Sequence, residues 1–127
     1  MFGWLTKRLP ASPVAGDAIA AIAECDFELA ESLRGTLTRE HISEIVDTYF
    51  RLRDWPAKDI AIHLLQDCKP SQVHEVMVDA LKSPTAESRA IAYCSLIGDL
   101  NHYSTFLCDG VVDAHLVDRA IAAKFNA

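Results

Sequence analysis

The sequence predicts an all-α protein, built as a right-handed α-α superhelix of three to four helical hairpins. Alanine, leucine, isoleucine and glutamate are plentiful among the 127 residues, whereas five glycines and five prolines leave little room for a turn-rich β architecture. Apolar residues recur at spacings of three and four along most of the chain, which is typical of amphipathic helices. The string Arg-Ala-Ile-Ala occurs twice, at 89–92 and at 119–122, and indicates an internal repeat.

The repeat extends beyond these two strings. A shift of 31 residues places Lys58 on Arg89 and Leu65 on Leu96, and a shift of 30 then places 89–92 on 119–122. Each unit therefore carries the same small residue, which lets neighbouring helices approach closely. These small positions are Ala30, Ala61, Ala92 and Ala122.

Each unit contains two helices joined by a short break. Asp54 stands ahead of one helix as a capping residue, and Pro56 lies in its first turn, where a missing N–H costs little. Ser71 and Thr85 are the capping residues predicted for the next two helices. The predicted helices span 14–24, 26–34, 38–53, 56–67, 71–82, 85–98, 101–109 and 112–125. Because a single hairpin cannot bury its apolar side, the hairpins are expected to stack.

The whole chain, 1–127, is predicted to form one domain, with 1–13 as an N-terminal extension or cap. The apolar residues Phe2, Trp4 and Leu5 precede two basic residues. A single short apolar segment gives only marginal affinity for a membrane. We therefore expect these residues to cover the exposed core of the first hairpin.

The repeat resembles a known family. A basic residue followed by Ala-Ile-Ala, a leucine four or five residues later, then LIGDL at 96–100 and FLCDG at 106–110, is similar to the short HEAT-like repeat of the phycobilin lyase type. The resemblance covers roughly residues 29–125 and implies the HEAT/armadillo-like superhelix. One departure is that Asp67 stands where Gly98 is found in the following unit. Bilin lyase activity would make the chain an enzyme or an enzyme subunit, and this is the alternative to a binding function.

The charge of the chain restricts its partners. The net charge of −6 repels nucleic acid and anionic membranes and attracts basic proteins. No apolar run approaches the roughly 18 residues that span a bilayer, so no stable membrane anchoring is expected. The four cysteines are well separated, which favours reduced thiols and a cytoplasmic location.

No motif for catalysis is found, so we predict no catalytic residue, no metal and no cofactor. Phosphate-binding glycine loops, the serine nucleophile elbow and zinc-type Cys and His spacing do not occur in the sequence. His63 is interpreted as a hydrogen-bonded or partly exposed spacer. Cys68 and Cys94 are interpreted as core residues whose surroundings raise their pKa.

The second helix of each hairpin carries a polar side that forms an acidic ladder with a basic edge, which a superhelix would place on its concave face. Its residues are Glu44, Asp47, Thr48, Arg51, Glu75, Asp79 and Lys82. One interpretation is a solvated face with pairs within a helix, from Glu44 to Thr48 and from Asp47 to Arg51. The other interpretation is a docking surface for a basic protein.

The predicted function is therefore non-catalytic binding of a protein partner, as a scaffold or, in one concrete form, as an immunity protein that neutralises a basic toxin. The exposed apolar ends of so short a stack also favour a homodimer.

Overall fold

The computed structural model describes residues 12–125, with side chains described from Gly16 onward. The predicted N-terminal cap therefore lies mostly outside the described residues. Within them the chain forms α1 (Ser12–Glu24), α2 (Phe27–Leu33), α3 (Arg39–Tyr49), α4 (Trp55–Leu65), α5 (Pro70–Ala80), α6 (Ala86–Ile97), a 3-10 helix (Leu100–Phe106), β1 (Leu107–Cys108), β2 (Val111–Val112) and α7 (Ala114–Phe125). The prediction of a mostly helical chain is confirmed.

The helices lie in two rows that pack against each other. In one row α1 contacts α3, and α3 contacts α5; in the other row α2 contacts α4, α4 contacts α6, and α6 contacts α7. Contacts of α1 with α2, of α4 with α3 and α5, and of α5 with α6 join the two rows. The apolar core lies between them.

The small repeat positions occupy the core of one row. Ala30, Ala61 and Ala92, on α2, α4 and α6, are all 0% exposed. Such alanines allow close helix contact, because a larger side chain would hold the helices apart. Ala122 on α7 is exposed, since no further helix of the described chain packs beyond α7 in this row.

The helix starts agree only in part with the predicted caps. Asp54 and Thr85 stand at N-cap positions, but neither side chain makes a capping hydrogen bond. Helix α5 begins at Pro70, so Ser71 lies within its first turn rather than at its cap. Thr38 caps α3 through a capping box with His41, which the sequence analysis did not anticipate.

The predicted helix over 101–109 is replaced by two different structures. A 3-10 helix ends at Phe106, and β1 and β2 then pair as a tight antiparallel hairpin. The two residues at its turn, Asp109 and Gly110, have φ of 53° and 79°. An Asp-Gly pair favours this turn because both residues tolerate positive φ.

Helix α6 separates two apolar clusters. Ile91 and Ala92 belong to the larger cluster, which α1 to α5 complete. Tyr93 and Cys94 face the smaller cluster, which the 3-10 helix, β2 and α7 complete. The buried members of the smaller cluster are Ala90, Tyr93, Cys94, Phe106, Val112, Val117 and Ile121.

Candidate functional site

The exposed side chains of α3 and α5 and of the two residues that follow each helix, here called the α3–α5 face, include five of the seven predicted binding residues. Glu44 and Asp47 on α3 and Glu75 on α5 are exposed. None of the three carboxylates forms a side-chain hydrogen bond or an ion pair with another described residue. They are therefore open to a partner without first breaking an internal contact.

The basic residues of this face lie just beyond the ends of the two helices. Arg51 and Lys82 are exposed and follow the C-termini of α3 and α5, where the helix dipole favours a cation. Arg51 donates to the hydroxyl of Thr48 at 3.5 Å, which is long for a hydrogen bond. Among the described residues, the expected pair between Asp47 and Arg51 is not formed.

Asp79 differs from the other predicted residues because it is held by internal contacts. Its carboxylate accepts a hydrogen bond from the Tyr49 hydroxyl at 2.7 Å and lies 3.4 Å from Lys58 Nζ. Tyr49 is 0% exposed, and its burial together with the bond to Asp79 raises the pKa of its hydroxyl. Lys58 also lies over the Trp55 ring, 4.7 Å from its centroid. Asp79 therefore links α3, α4 and α5, and it is less available to a partner than the exposed carboxylates.

A cavity of about 360 Å³ opens beside the α3–α5 face, between α3 and the start of α5. Ile42 and Val46 form its apolar part, and the exposed residues Arg39 and Lys69 supply positive charge. The carboxylates of the α3–α5 face are therefore bordered by cations at both ends of the two helices.

On the other row of helices, His63 bridges α4 and α2. Its Nε2 lies 2.6 Å from Glu31 Oε1, and its Nδ1 lies 2.8 Å from Gln66 Nε2. Nε2 therefore donates to the carboxylate while Nδ1 accepts from the amide. The hydrogen bond from His63 lowers the pKa of Glu31. The Phe27 ring packs on the imidazole, with centroids 4.5 Å apart. His63 is thus hydrogen-bonded, as the sequence analysis predicted.

Ion pairs also join successive units of this row. Arg34 Nε donates to Asp67 at 2.9 Å, and Arg89 Nε donates to Asp118 at 2.9 Å. Asp67 occupies the repeat position at which the following unit has Gly98. In the structure its carboxylate is the ion-pair partner of Arg34. The Asp67 and Asp118 side chains are 44% and 59% exposed, so these pairs contribute little to stability.

The cysteines divide into two pairs. Cys25 and Cys108 are exposed, whereas burial raises the pKa of both Cys68 and Cys94 to about 11. The prediction that the surroundings of Cys68 and Cys94 raise their pKa is confirmed. Residues 12–125 bring together no group of three or more His, Cys, Asp or Glu side chains that could hold a metal ion.

A second cavity and its central carboxylate were missed by the sequence analysis. Asp59 on α4 accepts hydrogen bonds from Ser83 and Ser88, at 2.7 and 2.8 Å, and lines a cavity between α4 and α6. Neither a motif nor the helix period marks Asp59, because its partners lie 24 and 29 residues away. Only the packing of α6 against α4 brings the three side chains together.

Comparison of the chain with protein-family models, with curated proteins and with solved structures found no match. The likeness to HEAT-like repeats therefore rests on the sequence features alone. Within residues 12–125, no helix is long and apolar enough to cross a bilayer.

Proposed function

We propose that this chain is a non-catalytic HEAT-like α-solenoid that binds a basic protein on its α3–α5 face. The observation that carries the proposal is the set of three exposed carboxylates, Glu44, Asp47 and Glu75, which have no partner among the described residues. Carboxylates that are not engaged internally attract a basic surface and raise the rate of association.

The two rows of helices and the buried alanines at 30, 61 and 92 support the solenoid part of the proposal. In a right-handed superhelix of this type, α3 and α5 would line the concave face. The four free cysteines are consistent with a reducing compartment, so we place the protein in the cytoplasm. An immunity protein that neutralises a basic toxin is one concrete form of this function.

The first test compares two charge reversals in a pull-down from native lysate, at low and at moderate salt. One variant carries Glu44→Lys and Glu75→Lys on the α3–α5 face. The control carries Asp17→Lys and Glu24→Lys on α1, where both side chains are also exposed. Each double reversal changes the net charge by the same amount, and circular dichroism checks that both variants keep their helicity.

We expect the α3–α5 variant to bind a retained basic protein roughly tenfold more weakly, or not at all, and the α1 variant to bind it as the parent chain does. Unchanged binding by the α3–α5 variant would show that this face is not the docking surface. Because α1 contacts α3 in the same row, equal losses in both variants would mean that binding is not confined to the α3–α5 face.

A further inference from the structure

We propose that the cavity between α4 and α6 binds the side chain of a lysine or arginine from a protein partner. This site lies on the row of helices that contains α2, α4 and α6, so it is independent of the α3–α5 face. The cavity has a volume of about 300 Å³, at the small end of the range for ligand sites, which is about 300–1,000 Å³. A space of this size fits one side chain better than a large ligand.

The walls of the cavity suit the stem of a long basic side chain. Ile60 and Ile91 form the apolar wall between the helices, and Phe27 lies at its edge with 55% of its surface exposed. Lysine and arginine bury their methylene stems against such surfaces while their charged heads seek a polar group. The Phe27 ring also packs on the His63 imidazole, and the exposed part of the ring adds attraction for a cation that passes over it.

The polar end of the cavity holds a carboxylate in a fixed position. Asp59 Oδ1 accepts two hydrogen bonds, from the hydroxyls of Ser83 and Ser88. These serines are only 2% and 4% exposed, so their hydroxyls remain directed at Asp59. The backbone N–H of Thr85 donates to Ser83 Oγ at 3.1 Å and further orients that hydroxyl. Asp59 Oδ2 accepts no hydrogen bond from a described residue and remains available to a ligand.

No cation of the described chain forms an ion pair with the carboxylates at this end of the cavity. Glu87, which is exposed, lines the same cavity as Asp59. Lys58 adjoins Asp59 in sequence but pairs with Asp79 at 3.4 Å. Arg89 lies close by on α6 but donates to Asp118 and to the carbonyl of Ser83, at 2.9 and 2.7 Å. His63 also lines the cavity, but its Nε2 lies 2.6 Å from Glu31. An incoming ammonium or guanidinium group would therefore meet two carboxylates that have no ion-pair partner among residues 12–125.

A neighbouring cavity favours a polypeptide over a free amine. A second space of about 300 Å³ also reaches Ile91, and Cys94, Leu100 and Tyr103 line it further along the α4 and α6 row. Leu100 is 44% exposed, so this second space offers an apolar surface next to the first. Polar residues also line it, among them Arg34 and Asp67, which pair with each other. Residues adjacent to the bound lysine or arginine can occupy it.

The test is an NMR titration of the ¹⁵N-labelled chain with three probes. The probes are N-acetyl-arginine amide, N-acetyl-leucyl-arginyl-leucine amide and, as the uncharged control, N-acetyl-norleucine amide. We expect saturable shifts of the Asp59, Ser88 and Ile91 amides with millimolar affinity for the arginine probe and several-fold tighter binding for the tripeptide. The norleucine probe should leave these amides unshifted.

Two variants test whether the carboxylates of Asp59 and Glu87 bind the basic side chain. Asp59→Asn keeps an oxygen that can accept from Ser83 and Ser88, so we expect it to fold and to bind the tripeptide roughly tenfold more weakly. Glu87→Gln, on the exposed rim, should weaken binding by a smaller factor and provides the test if Asp59→Asn does not fold. Asp17→Asn on α1 is the matched control and should bind as the parent chain does.

The proposal is overturned if the norleucine probe shifts the same amides, if the tripeptide binds no tighter than N-acetyl-arginine amide, or if neither Asp59→Asn nor Glu87→Gln weakens binding. Arginine-dependent shifts confined to the amides around Glu44 and Glu75 would also overturn it, while leaving the α3–α5 face in place.

Discussion

The two apolar clusters on either side of α6 use the same repeat in different ways. In the larger cluster, Ala61 is buried between helices and Asp79 joins three helices through Tyr49 and Lys58. On the side of the smaller cluster, the equivalent residues Ala122 and Asp109 are exposed and lie outside that cluster. The repeat therefore predicts where a small or acidic residue occurs, but the neighbouring elements determine whether that residue contributes to the core.

The second helix of a unit shows the same contrast. Helix α5 is contacted by α3, α4 and α6, whereas the 3-10 helix at the equivalent place packs on α6 and α7. A helix gains most of its stability from packing its apolar side. With fewer helices around this segment, the Asp109-Gly110 turn can replace the second half of the expected helix with a hairpin.

The largest expected effect comes from enlarging the small repeat position. Ala61→Leu adds three carbons where the side chain is 0% exposed, so we expect a loss of about 3 kcal/mol in the free energy of unfolding. Ala122→Leu, at the equivalent exposed place, should change it by less than about 0.5 kcal/mol. Urea unfolding followed by circular dichroism measures both, and similar losses would show that α7 packs as tightly as α4.

A smaller effect is expected from the buried tyrosines. Tyr49→Phe removes the hydrogen bond to Asp79, and we expect a loss of about 1.5 kcal/mol because the acceptor is charged. Tyr93 in the smaller cluster is 9% exposed and contacts Phe106 and Phe125 through its ring. Its hydroxyl donates to no other described residue.

Tyr93→Phe should therefore change the unfolding free energy by less than about 0.5 kcal/mol. Both substitutions are measured by urea unfolding at neutral pH. If Tyr93→Phe cost as much as Tyr49→Phe, the two clusters would not differ in their polar contacts.

The ends of α4 and α6 give a third contrast. Helix α6 ends at Gly98 with φ of 74°, and the N–H of Asp99 bonds back to the carbonyl of Cys94 at 3.0 Å. Helix α4 ends at Gln66 in a right-handed conformation and needs no glycine. We expect Gly98→Ala to cost about 1 kcal/mol, because an L residue is strained in the left-handed region.

The control is Gly16→Ala within α1, where an added Cβ meets nothing within 4 Å. Alanine is the better helix former, so this change should stabilise the chain by up to about 1 kcal/mol. Thermal unfolding of the two variants is the measurement. A Gly98→Ala variant as stable as the parent would contradict the proposed role of this turn.

The smallest difference between the two clusters is expected at their thiols. Burial raises the pKa of Cys68 in the larger cluster and of Cys94 in the smaller one to about 11. At pH 8 we expect iodoacetamide to label Cys25 and Cys108 at least roughly tenfold faster, because the thiolate is the reactive form and these thiols are exposed. Mass spectrometry of the native protein measures the rates, and fast labelling of Cys94 alone would show that the smaller cluster opens more readily.

The raised thiol pKa also sets a pH dependence. A thiol whose pKa is raised on folding stabilises the folded chain at every pH below its ordinary pKa, which is 9.0. This contribution is lost as the pH rises through the pKa of the folded state, about 11. The urea concentration at the midpoint of unfolding should therefore decrease as the pH is raised from 8.5 to 10.5. The decrease should be smaller in a variant that carries both Cys68→Ala and Cys94→Ala.

The sequence by itself predicted the helices outside 101–109, the small positions at 30, 61 and 92, and the raised pKa of Cys68 and Cys94. These follow from local propensity and from an apolar period that any packing of the helices must bury. It did not determine the hairpin over 107–112, because a short apolar run is compatible with both a helix and a strand.

Only the tertiary structure decided which polar residues are engaged and which are free. Asp79 and Asp59 accept their hydrogen bonds from residues 21 to 30 positions away, whereas Glu44 and Glu75 remain exposed. The physical reason is that such contacts depend on the offset and rotation with which one helix packs on the next. An apolar pattern requires that the helices pack, but it does not specify that geometry to within the length of a hydrogen bond.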